Sequence, residues 1–173
     1  IIANMRVILA LTVATLRRVS HLQPASGWNS RYLTYMIKLK CHECRWTSAP
    51  IHIRVSLTIR RGNNHFNAIV SCDGCGNIGT VRILQTMGTP IVREQVPMPV
   101  MLLEVMGLAL DYNFVDFGFN WTVRAWFDER WNRIDSFALR TGSYVVRMNE
   151  ESLDPEDYPP MVIDVEGLYM PAD

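Results

Sequence analysis

The chain has 173 residues, 49% of them hydrophobic, enough for one packed domain or two small lobes and too apolar for a disordered segment. The formal net charge of zero hides a split: all 17 basic residues lie in 1–148 with nine acids, a balance of +8, while 149–173 holds eight acids and no base. No apolar run is long enough to span a bilayer, and a basic body with an acidic end points to self-docking, to two different partner surfaces, or to a solvated terminus.

Residues 7–16 are apolar at both strand parities and read as a strand buried on both faces or nearly so. They also resemble a signal-peptide core, but Arg17-Arg18 stand where a small-residue cleavage site belongs. No acid precedes Glu43, as in organelle-targeting segments, and the chain begins at Ile1 rather than Met, which reads as a missing or processed N-terminus. Residues 21–30 carry Pro24, Gly27 and Asn29 and read as a loop. Residues 32–40 alternate, with Leu33, Tyr35, Ile37 and Leu39 on one face, and lead into Cys41. Residues 51–59 are the cleanest strand, with Ile51, Ile53, Val55, Leu57 and Ile59 facing in. A turn at 61–64 returns the chain through 65–71, with Phe66, Ala68 and Val70 inward, to Cys72, and 80–84 leaves that second cysteine pair.

Gly88, Pro90, Pro97 and Pro99 mark residues 85–99 as a linker. A second long apolar strand follows at 100–110, an aromatic loop at 113–120, and a strand at 121–127 with Trp121, Val123, Ala125 and Phe127 on one side. Residues 128–133 read as a turn, and 136–140 with 143–148 as a hairpin closed at Thr141-Gly142. The acidic end carries Pro155, Pro159 and Pro160 and should be extended, without its own core. Within it Val162, Val165, Leu168 and Tyr169 are placed to dock as a short strand or to clip onto a partner. No stretch fits a helical period. The expected fold is all-β and mainly antiparallel, in two similar lobes: residues 5–84 as a lobe that carries all four cysteines, 85–99 as linker, 100–148 as a second lobe without them, and 149–173 as an acidic extended tail.

The four cysteines form two pairs, Cys41-x-x-Cys44 and Cys72-x-x-Cys75. Two intervening residues let a tight turn bring both sulfurs to one ion, and four soft thiolates complete a closed tetrahedral zinc shell. Glycines in Cys72-Asp73-Gly74-Cys75-Gly76 supply the backbone angles of such a knuckle; Cys41-His42-Glu43-Cys44-Arg45 has none, so its turn is expected to be less ideal. His42 lies between two ligands but is expected to face solvent, since the cysteines already fill the site. Two disulfides would need an exported chain, and a thioredoxin-like pair would need a βαβ context that is missing. An iron–sulfur centre uses the same four thiolates and stays open at this point.

Little else in the sequence carries chemistry. His21, His42, His52 and His65 fall in no metalloprotease pattern, and there is no nucleophile elbow, P-loop or dinucleotide fingerprint. Asp111, Asp116, Asp128, Glu129 and Asp135 are scattered acids with no sign of pairing. The bases are almost all Arg, the residue of planar, bidentate contacts. Trp121 has the register of a core residue. Trp126 and Trp131 fall out of it and, with Arg124, Arg130 and Arg133, form a candidate surface for a protein partner or for stacked single-stranded nucleic acid.

On these residues the chain resembles the eukaryotic family of CXXC-motif-containing zinc-binding proteins. The resemblance runs over about residues 9–148, through Ala14-Thr15-Leu16, Leu22-Gln23-Pro24, the run from Tyr35 to Leu39, both cysteine pairs, Val81-Arg82-Ile83-Leu84, residues 103–116, and Trp131 with Ser143-Tyr144-Val145-Val146. It implies a two-lobed β protein with one Zn²⁺ held by Cys41, Cys44, Cys72 and Cys75, and it supplies no reaction. The expected role is a non-catalytic, intracellular zinc protein, in cytoplasm or mitochondrion, that serves as an accessory subunit or interaction module alongside other protein subunits, with no small-molecule substrate inferred. A metal-handling or thiol-redox role is the alternative, and a nucleic-acid-binding zinc ribbon the third reading.

Overall fold

The computed structural model describes residues 5–92, 96–114, 117–127, 129–138, 142–146 and 161–173. Among them the chain forms strands and no helix: β1 (Met5–Arg17), β2 (Val19–Pro24), β3 (Tyr35–Ile37), β4 (Leu39–Lys40), β5 (Ile51–Ile53), β6 (Ile59–Arg61), β7 (Asn64–Phe66), β8 (Ala68–Ser71), β9 (Ile78–Thr86), β10 (Met98–Met106), β11 (Ala109–Leu110), β12 (Asn120–Phe127), β13 (Arg130–Ala138), β14 (Gly142–Val146) and β15 (Met161–Pro171). Neighbouring strands pair antiparallel, so the all-β class read from the sequence holds.

A six-stranded sheet runs in the order β14-β15-β1-β10-β9-β8. Within β1, Ile8, Ala10, Thr12, Ala14 and Leu16 are buried, whereas Val7, Leu9, Val13 and Thr15 are half-buried. One face of this strand is therefore core wall and the other is partly open. The apolar run predicts both faces buried or nearly so, and at the second parity Leu11 is buried while its neighbours are half-buried. Arg18, in a left-handed conformation (φ 59), ends β1, and β2 crosses into a three-stranded sheet ordered β13-β12-β2. There Trp121, Val123 and Ala125 turn inward as their alternation predicts. Small ladders join β3 to β5, β4 to β11 and β6 to β7. One cluster of buried side chains takes Ile8, Leu103 and Ile163 from the large sheet, Trp121 and Val123 from the three-stranded one, and Tyr35, Ile37 and Ile53 from β3 and β5.

Three expectations change. Residues 51–59 are not one strand: β5 stops at Ile53, and Leu57 and Ile59 are exposed. The cause is Asn67, a buried residue between β7 and β8. Its Nδ2 donates to the carbonyls of Arg54 and Leu57, both at 3.1 Å, and its Oδ1 accepts from the Ile83 N–H at 2.7 Å. These bonds hold residues 54–58 in a turn and override the alternation. Asn67→Ala would take these bonds from the Leu57 carbonyl and the Ile83 N–H, whereas the Arg54 carbonyl keeps the Leu57 N–H. It is expected to cost about 2–4 kcal/mol in chemical denaturation.

The expected hairpin of 136–140 with 143–148 does not form among the described residues. β13 pairs with β12, and β14 pairs with β15 in the other sheet; residues 139–141 and 147–148 lie outside the described residues. The acidic end is extended, but its last part is an inner strand. β15 pairs with β1 from Ile8↔Pro171 to Arg17↔Val162, and it buries Ile163, Val165 and Tyr169 in the core. Docking as a strand, the option offered by the apolar alternation of Val162, Val165, Leu168 and Tyr169, is what Met161–Pro171 does, and the expectation of a segment apart from the core is what changes. Residues 149–160 lie outside the described residues, as do residues 93–95 of the expected linker. The division at 84, 99 and 148 also cuts across the pairings: β2 joins β12, β4 joins β11, and β1 joins both β10 and β15.

Candidate metal centre

Two hairpin ends build the cysteine site. β4 delivers the chain into Cys41, whose N–H donates to the Trp46 carbonyl at 2.9 Å as the chain folds back. Ser48 fastens this return, its N–H donating to the Leu39 carbonyl and its Oγ accepting from the Leu39 N–H. The second turn joins β8 to β9. Here the Cys72 N–H donates to the Asn77 carbonyl at 2.8 Å and the Gly76 N–H to the Cys72 carbonyl at 2.9 Å. The residue after each second cysteine is left-handed, Arg45 at φ 47 and Gly76 at φ 76. The first knuckle thus adopts the same turn without a glycine, at the cost of one strained arginine. Asn77 Nδ2, donating to Glu43 Oε2 at 3.3 Å, ties one knuckle to the other.

All four cysteines are free thiols. Cys44 Sγ lies 3.0 Å from Cys72 Sγ, Cys41 Sγ 3.7 Å from Cys75 Sγ, and all four sulfurs fall within 4.8 Å of one another. A tetrahedron with zinc–sulfur bonds of about 2.3 Å has edges of about 3.8 Å, so this spacing fits a tetrathiolate ion site. Cys41 and Cys72 are buried and belong to the core cluster, Cys44 is half-buried, and Cys75 is exposed. The Glu43 backbone N–H pulls the Cys41 thiol down to about 7. The Cys72 thiol beside Cys44 pushes Cys44 the other way, so the bare cage holds protons that a cation would displace. His42 is exposed and is not among the converging groups.

Gly74 fills a role that spacing alone does not reveal. Its φ is not left-handed, but a Cβ there would stand 2.8 Å from Cys44 Sγ on the opposite knuckle. Gly74→Ala must move a ligand sulfur. It is expected to weaken zinc binding about tenfold in competition with a chelating indicator, as shifts in the shell around a metal typically do.

The sequence profile of the family described as "CXXC motif containing zinc binding protein, eukaryotic" matches residues 9–144. The chain belongs to this family. No curated protein matches it. Among solved structures, one described as "Crystal Structure of C1orf123" is similar at a TM-score of 0.65 and 17% identity, covering 96% of this chain and 99% of that one. A second, described as a hypothetical protein from Plasmodium falciparum, is similar at a TM-score of 0.59 and 15% identity, covering 97% and 98%. At these identities the two likenesses show a shared fold. The membership makes this a zinc-binding protein whose four cysteines are placed to bind the ion, and it favours zinc over the iron–sulfur alternative.

The structure gathers most of the Arg/Trp candidates on the β12–β13 hairpin. Arg124 stands opposite Arg133 and Trp126 opposite Trp131 in the ladder, while Arg130 pairs with Phe127 at the opposite parity. Arg124, Arg130 and Arg133 are exposed and Trp131 is half exposed (50%). Trp121 is core. Of the scattered acids, Asp116 and Asp128 lie outside the described residues. No helix among the described residues is long and apolar enough to cross a membrane.

Proposed function

We propose that the protein is a non-catalytic accessory subunit in which one structural zinc ion locks the two knuckles together. The convergence of four sulfurs within 4.8 Å carries this reading, because a full thiolate shell leaves no coordination position for a substrate. The docking surface in this reading is the tip of the β12–β13 hairpin, where Trp131 is half exposed beside the arginines. Trp and Arg are the residues that most often anchor protein interfaces. The test is the elution of the endogenous protein in native size exclusion. The wild type should run within a complex larger than the chain, and Trp131→Ala should run free with its zinc retained. A wild-type chain that elutes alone contradicts the proposal.

One observation favours a second reading, in which the site hands zinc on: Cys75 is exposed, although burial and its neighbours push that thiol up. Thiolate character and access are what metal and thiol exchange require. Stopped-flow transfer to a chelator separates the two. Release over hours supports a structural ion, and release within seconds supports a carrier.

A further inference from the structure

We propose a second binding site, for a phosphate-type oxyanion, between the β2 bulge and the β12–β13 ladder. A cavity of about 250 Å³ opens there, lined by His21, Gln23, Ser26, Thr122, Arg124 and Arg133 among others, and no acid lines it among the described residues. Two arginines point into one small space from directly opposed positions on β12 and β13. A divalent anion in that space accepts charge-assisted contacts from both guanidinium groups. The guanidinium fork matches the oxygens of such an ion in a way that an ammonium does not.

The bulge supplies the third wall. Thr122 pairs with Gln23 and Arg124 with Ser20, so β2 carries two residues, His21 and Leu22, opposite the single Val123. His21 is held in the left-handed region (φ 54). Bulges and strained non-glycine residues of this kind recur where a side chain is re-aimed at a ligand. Leu22 goes to the core, while His21 lines the cavity with its Nδ1 buried and without a hydrogen-bond partner. A buried ring nitrogen left in this state is costly, and a ligand oxygen within the cavity satisfies it as an N–H donor. The Thr122 hydroxyl already donates to the Ile134 carbonyl at 2.8 Å, which fixes the cavity floor.

Size narrows the ligand. Clefts for drug-sized molecules run from roughly 300 to 1,000 Å³, so this cavity suits a phosphate group with a small substituent and not a whole nucleotide. It uses neither the zinc site nor Trp131, but it shares Arg124 and Arg133 with the proposed docking surface, and its test reads phosphate binding rather than complex formation.

The test is calorimetric titration of inorganic phosphate into the zinc-loaded full chain, with ionic strength held constant by chloride. The expected result is saturable binding that weakens about tenfold or more in Arg124→Gln and in Arg133→Gln. Arg124→Lys, which keeps the charge and loses the fork, should fall between these variants and the wild type. A parallel arm with glycerol phosphate distinguishes the sources: tighter binding than phosphate assigns an ester, and equal binding assigns the free ion. Absence of saturable heat in the wild type overturns the site. So does unchanged affinity in the double glutamine variant with its zinc content retained. A single-stranded oligonucleotide that binds far more tightly than the ester, with a salt slope of several phosphates, overturns the small-ligand assignment. If the glutamine variants fail to fold, the wild-type and Arg124→Lys titrations decide alone, and equal affinity in those two overturns the site.

Discussion

Cys72→Ser, or chelation of the wild type, is expected to lower the melting temperature by at least about 10 °C, since 1 kcal/mol is worth roughly 2–4 °C in a chain of this size. The reason is where the sulfurs sit. Cys41 and Cys72 are part of the main core cluster, and the metal closes the ends of two hairpins that few other contacts join. Structural zinc in small peptides is worth about 10–16 kcal/mol in apparent binding energy. Less is expected here because the β15-β1-β10 centre of the large sheet stands away from the knuckles. The loss should be local: amide exchange should accelerate at 39–48 and 71–79 first, while β1 stays protected. Cys75→Ser should also lose zinc, with a smaller change in core packing, because Cys75 is exposed. A chelated protein with an unchanged melting curve would show that the ion adds nothing to the fold.

Truncation before Met161 is expected to abolish folding altogether. β15 fills the gap between β14 and β1. Its Ile163, Val165 and Tyr169 are all buried, and at about 1.5–3 kcal/mol each they contribute on the order of 5–9 kcal/mol. That is comparable to the whole stability of an ordinary domain, about 5–15 kcal/mol. The cut also bares the full length of β1 as an apolar edge, which invites aggregation. Expression of residues 1–160 should give insoluble or molten material by circular dichroism and size exclusion. A soluble, cooperatively melting product would show that β15 is dispensable.

The parts of the fold that rest on local patterning were legible in the sequence. The alternation around Tyr35, Phe66 and Trp121 gave correct inward faces, and the two CxxC pairs named the four sulfurs that converge. The parts that failed depend on distant partners. Ile51 to Ile59 alternates as well as any strand, but Asn67, thirteen residues from Arg54 and ten from Leu57, bonds both into a turn. The end of the chain offered both a solvated acidic tail and a short docking strand through Val162, Val165, Leu168 and Tyr169, and only the partner β1 decides for the strand. His21 passed as a plain loop histidine, since a left-handed φ at a bulge leaves no trace in composition. A pair of like-charged residues in facing strands was the signal available for the oxyanion cavity, and it becomes visible only once the register of β12 against β13 is known.

Zinc-edge X-ray absorption on the purified full chain, with metal quantified in the same sample, tests the central claim most directly. One zinc per chain with four sulfur neighbours at about 2.3 Å is the predicted result. A nitrogen or oxygen in the shell, well under one zinc per chain, or cysteines found crosslinked in metal-free protein would contradict it.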